Sequence, residues 1–569
     1  MSSDQSAEAG LSGSNPWIPV ALSACLLLAG GCGGGADSTP AENPFGTGAG
    51  QPDSRTSRAP VAPMHVSAAP AVRPAGSSDT RNAAAGGVPA ADGSAKSAVS
   101  APANPSGVNP PVRNPGTGGT KSPAVAGGTP KPGRGVSGNP GPGGAPVRAA
   151  ASSANWPRFR GPQGSGAAAV SDSAQSHVPV HWSDEENVLW RYPMPGPGSS
   201  SPIVQGNRVY VTCYTGYGER DGEGSPRQLE RHVLCLDLTT GLLLWEYTVP
   251  QTSSIPTWDS FLTRHGYASA SVVAAGETVY AFFDTAGAVA LDAEGQQKWL
   301  QKSAAGQKTH IWGSASSPLV HDGMLLLTAG PESGAMVALS VKDGAVVWTG
   351  PGVEECWGTP VIIDGPGDHD QLILSMKGRI VAFDSFTGRE LWSCRGIDDY
   401  ICPSVVAGDG VVYAIGGRKG RAIAVRTGGK GDVTDSHVLW TADFGSNVPS
   451  PVLYEGRLMW VGDDGIAYCL DAATGALLGR RRTGADSVYA SAVTAGGALY
   501  IVSQQRGTFV LKADKDLSEV ARNRFRSDRS VFNATPAVLT DRLLLRSNEY
   551  VYCVGTSPTG PEEAKISSR

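Results

Sequence analysis

From Pro197 to Gly555 the chain is written in short apolar runs cut by Gly, Pro, Asp and Asn, with no sustained helical period. Runs such as NRVYVTC (207–213), ETVYAFF (277–283), GVVYAIG (410–416), GRLMWVG (456–462) and GALYIVS (497–503) are β-branched and aromatic, and alternate as strands do. Each is preceded by a small residue, often before Pro: Ser201-Pro202, Ser317-Pro318, Thr359-Pro360, Cys402-Pro403, Ser450-Pro451 and Thr535-Pro536. Proline at the start of a strand sacrifices no ladder hydrogen bond, so these dipeptides predict the opening of an inner strand. Further on, LDLTTG (236–241), LDAEG (291–295), FDSFTG (383–388) and LDAATG (470–475) mark a hairpin turn whose Gly supplies the positive φ of a bulge-ended loop.

The cycle repeats. Trp190, Trp245, Trp299, Trp348, Trp392 and Trp440 follow one another at 55, 54, 49, 44 and 48 residues. Four strands per unit at this period predict an all-β fold, an eight-bladed β-propeller of four-stranded blades, with inner strands near Ser201, Ser271, Pro318, Pro360, Pro403, Pro451, Ala492 and Pro536. A lone blade leaves both faces unburied, whereas a ring buries each on its neighbour, and the six tryptophans are expected to fill the seams. Two cycles lack the Trp, with Gly479 and the Val520-Ala521 pair in its place. The last cycle stops after three strands, so the strand carrying Trp190 is expected to complete the final blade and close the ring.

The repeat LDxxTGxxxW closely resembles that of pyrroloquinoline quinone (PQQ) β-propellers, as in quinoprotein alcohol dehydrogenases and in the propeller lipoprotein of the outer-membrane β-barrel assembly machinery. WPRFRGPQGSG (156–166), HIWGSASSPLV (310–320) and GGKGDVTDSHVLW (428–440) are similar to PQQ-like repeat proteins exported by planctomycete-type bacteria. The resemblance implies the fold over about 156–555 and no fixed reaction. The dehydrogenases hold PQQ between a Trp and a disulfide of adjacent cysteines, with calcium on Glu, Asn and Asp; this sequence has no adjacent cysteine pair.

Composition divides the chain. Residues 17–29 form an apolar run of signal-peptide length, short for a membrane span, and LLLAGGC ending at Cys32 resembles a bacterial lipobox in which the cysteine is acylated. A plain signal peptide or an uncleaved anchor is the alternative. Residues 33–154 are nearly all Ala, Gly, Pro, Ser, Thr and Asn, which predicts a disordered tether reaching roughly 60 Å. The expected organisation is therefore a signal peptide with lipobox (1–32), a disordered linker (33–154), the propeller (155–557) and a disordered tail (558–569).

The net charge of −5 and a pI near 6.0 give no basic field for nucleic acid. Nine scattered cysteines offer no zinc spacing, though Cys394 and Cys402 are close enough in sequence to pair in an exported protein. Asp463-Asp464-Gly465 and Asp368-His369-Asp370 read as turns, Arg418 to Lys430 and Arg480 to Arg482 as solvated loops, and His265, His310 and His321 as isolated structural histidines. No catalytic, cofactor-binding or metal-binding residue is expected. One constellation stands apart: Tyr267, Trp312, Trp357, Tyr400, Tyr489 and Phe532 each precede an inner strand, which predicts an aromatic rim at one end of the central funnel.

The sequence thus points to an exported, monomeric, lipid-anchored propeller of the periplasm or cell envelope that binds envelope or periplasmic proteins and carries no cofactor. A quinoprotein oxidoreductase using PQQ and Ca2+ is the first alternative, and a small-molecule or carbohydrate sensor the second.

Overall fold

Eight antiparallel sheets stand around one axis in the computed structural model, which describes residues 155–168, 177–220, 222–249, 255–302, 305–365 and 369–556. The leader with Cys32, the 33–154 linker, Asp368 and the 558–569 tail lie outside the described residues. In the first blade the strands are Ile203–Gln205, Arg208–Thr215, Glu230–Asp237 and Leu243–Val249, in spatial order from the axis outward. The other inner strands are Val273–Ala275, Leu319–His321, Val361–Ile363, Val406–Gly408, Val452–Tyr454, Val493–Ala495 and Ala537–Val538.

The ring closes as the truncated last cycle requires. Val188–Pro193 pairs antiparallel with Tyr550–Gly555, with Trp190 opposite Cys553, and so forms the outer strand of the eighth blade. Inner and second strands are almost wholly buried, while the outermost alternate, Leu243–Val249 reading exposed, exposed, partial, exposed, partial, exposed, buried. That gradient follows from the geometry of a ring, in which only the outer edge of each sheet meets solvent.

At five of the eight seams a tryptophan of one blade lies on the turn glycine of the next. A Cβ on Gly241 would stand 2.5 Å from the Trp190 ring, one on Gly295 2.6 Å from Trp245, and one on Gly344 2.7 Å from Trp299; Gly388 meets Trp348 and Gly475 meets Trp440 in the same way. The indoles of Trp190, Trp245, Trp299 and Trp440 also donate to the carbonyls of Leu238, Ala293, Val341 and Ala472 at 2.8–3.0 Å, each in the neighbouring blade. The glycine of LDxxTG is therefore doubly constrained, by its own positive φ (72° at Gly241) and by the ring packed on it.

Trp392 departs from this pattern. The insertion between the third and fourth strands of the fifth blade adds Gly431–Asp432 as a short parallel fifth strand on Glu390–Arg395, with Val433 buried beside it. Under this cover Trp392 has no exposure, and its indole donates to the Gln371 side chain of its own blade at 2.7 Å.

Where the tryptophan is missing, the partner turn is changed too. Gly479 abuts the backbone carbonyl of Lys515, leaving no room for a side chain, and Leu517 holds the turn's positive φ (49°) with its side chain buried. Beyond the seventh blade, Trp182 stacks on Tyr500 at 6.4 Å and its backbone N–H donates to the Asn523 side-chain oxygen at 3.0 Å. The segment ahead of the ring-closing strand thus covers a seam that has only Ala521 at the tryptophan position.

Candidate binding site along the propeller axis

Each inner strand is entered through a loop, and two residues ahead of the strand sits a hydroxyl. Ser201, Ser271, Ser317, Thr359, Ser404, Ser450, Ser491 and Thr535 form a belt around the axis in which each hydroxyl from Ser271 to Thr535 accepts the backbone N–H of the belt residue one blade earlier, at 2.8–3.0 Å. The circle has one gap, at Ser201, whose Oγ is buried without a partner. In the fifth blade the belt residue is Ser404, two positions after the Cys402 expected from the small-residue-before-Pro pattern; the proline there precedes the hydroxyl instead of following it. The prolines also fall just outside the inner strands, next to the belt.

On the entry side of the belt, four of the six expected aromatics meet. Trp312, Trp357, Tyr400 and Tyr489 line a cavity of about 150 Å³ together with Phe261, His265, Asn447, Asn533 and seven of the belt residues. Ring centroids lie 5.0 Å apart for Trp312 and Trp357, 4.7 Å for Trp312 and Tyr400, and 4.9 Å for Phe261 and Trp312, the last two edge to face. Such quadrupole-favoured contacts hold the cluster in one arrangement. The Trp357 indole donates to the Gly313 carbonyl at 2.9 Å, which ties adjacent entry loops together.

Tyr267 and Phe532 do not join the cavity. Tyr267 is buried beside it, its hydroxyl donating to Pro256 at 2.8 Å and its ring edge-on to Tyr214 and under the Arg231 guanidinium. Phe532 stacks on Phe525 and Tyr552. In both loops a nearer aromatic partner takes the ring away from the axis.

The histidines are closer to the site than their spacing implies. His265 lines the cavity, held between the Ser269 hydroxyl (2.5 Å) and the Trp312 carbonyl (2.8 Å), to which Nε2 donates. Burial pushes its pKa down, so it is neutral and positions the Trp312 backbone. His310 sits against both Trp312 and Trp357 and accepts the Trp312 N–H through Nδ1 at 3.1 Å. His321 lies elsewhere, its Nε2 3.2 Å from the carboxylates of Asp322 and Asp370. Asp463 and Asp464 serve a hairpin turn, Asp464 accepting the Ile466 N–H, and Arg418 pairs with Asp399 beside Tyr400. Cys394 and Cys402 are free thiols, as are the other five described cysteines.

The far end of the axis is shut by residues that the sequence marks only as a family signature. Trp156 exchanges two backbone hydrogen bonds with Val204, Pro157 accepts from Ala274, and Gly166 and Ala168 bond Thr494, so 155–168 crosses the inner strands of the first, second and seventh blades. Each of those strand positions lies three residues past its belt hydroxyl, on the side away from the aromatic entry. Phe159 of this plug reaches the cavity. Arg160, with no exposure, donates from Nη2 to the carbonyls of Ser165 (2.9 Å) and Pro451.

A second buried charge cluster lies off the axis. Arg231 forms a two-pronged pair with Asp284 of the next blade at 2.9 and 3.2 Å. Glu332, also buried, has its pKa pushed up to about 8 by desolvation and then by Asp284.

The family model described as outer membrane protein assembly factor BamB matches residues 164–310 and 226–427. The chain is an eight-bladed β-propeller whose repeats are similar to those of PQQ-like propeller proteins. BamB of Burkholderia pseudomallei (strain K96243) is 24% identical to this chain over 339 residues, 55% of this chain and 84% of that protein. Among solved structures, BamB from Moraxella catarrhalis is similar at 16% identity and a TM-score of 0.47, covering 66% of this chain and 98% of its own. Quinohemoprotein alcohol dehydrogenase from Comamonas testosteroni is similar at 12% identity and a TM-score of 0.37, covering 72% of this chain and 82% of its own.

Proposed function

We propose that the propeller is a non-catalytic binding module of the cell envelope that takes protein partners at its aromatic entry. The observation that carries this reading is the cluster of Trp312, Trp357, Tyr400 and Phe261 at the cavity, a rigid apolar surface with polar edges of the kind that anchors partner side chains. Similarity to an outer-membrane assembly factor supports an envelope setting and a protein partner. Membrane attachment through Cys32 belongs to the same reading; Cys32→Ser should move the protein from the membrane to the soluble fraction, and unchanged fractionation would refute it.

The quinone does not fit this cavity by its donor set. The described lining includes no Asp or Glu to hold a calcium ion, and among the described residues no three His, Cys, Asp or Glu side chains converge. Its cysteines stand singly. Protein mixed with PQQ and calcium is expected to give neither a quinone absorbance band nor dye-linked alcohol oxidation, and either signal would overturn the reading.

The direct test is the double substitution Trp312→Ala with Trp357→Ala. It should abolish capture of envelope partners while the far-ultraviolet circular dichroism stays that of the native propeller. Undiminished capture by the folded double variant would refute docking at the entry.

A further inference from the structure

Between the aromatic entry and the plug, the cavity changes character with depth. On the entry side its lining is ring carbon, from Trp312, Trp357, Tyr400 and Tyr489. From the opposite side Phe159 of the plug reaches in, with part of its surface uncovered. Between the two, seven of the eight belt residues line the waist of the cavity, spread around the axis. The belt hydroxyls from Ser271 to Thr535 each spend a lone pair on a backbone N–H, and none gives its own proton to a protein acceptor. Asn447, also on the lining, has a side-chain oxygen that no donor meets. The waist therefore offers donors on all sides and an acceptor among them.

The same lining carries no charge. None of its described residues is Asp, Glu, Lys or Arg. His265 is kept neutral by burial, and burial pushes the Cys402 thiol up to about 12. An ionised ligand brought here would lose its hydration and meet no opposite charge, which is strongly unfavourable. A purely apolar ligand would suit the rings but strand the belt, since hydroxyls removed from water need partners. The volume, about 150 Å³, is of the size that admits a single six-membered ring.

We infer that the axial cavity binds one neutral pyranose ring, lying across the axis with its hydroxyl rim against the belt and its two C–H faces toward the entry rings and Phe159. In a pyranose whose hydroxyls are equatorial, the polar groups run round the periphery and leave apolar faces above and below. The cavity divides its own surface in the same way. Sugar hydroxyls also give as well as take, so they answer the belt protons and the Asn447 oxygen together. The ring is either a free monosaccharide or the terminal residue of a chain that leaves through the entry. Phe159 lies across the belt from the entry and serves the sugar, not the protein partner proposed there, so the two readings fail separately.

The test is calorimetry on the whole protein. Titration with D-glucose should give saturable heat, and D-glucuronate, which puts a carboxylate on the same ring, should bind at least about tenfold more weakly. Phe159→Ala and Asn447→Ala should each weaken glucose about tenfold, while Phe159→Ala leaves capture of envelope partners unchanged. Cellobiose binding as well as glucose marks a chain end as the ligand, and its exclusion marks the free sugar. No saturable heat with either sugar, glucuronate binding equal to glucose, or undiminished heat in both folded variants overturns the proposal. Should the variants not fold, a glucose-soaked crystal of the unaltered protein decides: a ring between Phe159 and Trp312 upholds the site, and water alone there overturns it.

Discussion

Two of the kinds of seam in the ring stand in contrast, and they fail differently. Between the eighth and fourth blades, and again between the fifth and sixth, a tryptophan lies on a glycine and in most cases bonds a carbonyl beyond it. Between the sixth and seventh, backbone meets backbone: Gly479 against the Lys515 carbonyl, with Leu517 turned inward. The first kind is a side-chain lock on a repeated motif; the second is a paired exception, in which loss of the ring and loss of the glycine occur together. A seam is therefore specified by two blades jointly, and consensus at one position means nothing without its partner.

The largest effect should come from Trp392→Ala. This tryptophan is fully buried beneath the fifth-blade insertion, and truncation should cost about 3–5 kcal/mol in chemical denaturation. A loss below about 1 kcal/mol would show that the insertion collapses to refill the space.

Next is Gly388→Ala, which adds both positive-φ strain and a clash with Trp348, at about 2–3 kcal/mol. Its control is Gly206→Ala, where φ is 59° but nothing lies within 4 Å of the added Cβ, so about 1 kcal/mol is expected. Equal losses at the two sites would mean that backbone conformation alone explains the motif glycine.

Gly479→Trp sharpens the contrast from the other side. It restores the repeat consensus, yet it should destabilise by about 1–3 kcal/mol because the Lys515 carbonyl occupies the docking position. Stabilisation would show that the exceptional seam is merely a weakened version of the common one.

The remaining test concerns pH at the tryptophan-docked seam of the second and third blades. Glu332 is protonated in the fold up to about pH 8 and ionised in the unfolded chain above about 4.5. Between those values the folded state binds the extra proton, so this group's contribution to stability falls as pH rises through the window. Glu332→Gln should flatten the stability profile there; an unchanged slope would remove Glu332 as its source.

Much of this was legible because propellers repeat themselves. The period of the tryptophans, the small residues that open the inner strands and the missing strand of the last cycle predict eight blades and their closure, and the pairing of the Trp190 strand with the last blade is as expected. Patterning could not say which way an entry-loop ring turns. Tyr267 and Phe532 have the same sequence placement as Trp312 but are captured by Tyr214 and Tyr552, contacts between residues distant in sequence. In the fifth blade the inner strand opens two residues later than Cys402-Pro403 predicts, because the hydroxyl that joins the belt there is Ser404 and the strand begins at Val406. Nothing in WPRFRGPQGSG has strand or helix periodicity, so its role in shutting the axis emerges only where it meets Val204, Ala274 and Thr494.

The ring-closing strand has a consequence for biogenesis. Because Val188–Pro193 is the outermost ribbon of the last sheet, synthesis from the amino terminus leaves it waiting, its pairing edge open, until Tyr550–Gly555 has emerged. A nonsense codon in the final strand would act on the ring's first strand, unzipping the structure at the place where the propeller's two ends are stitched together.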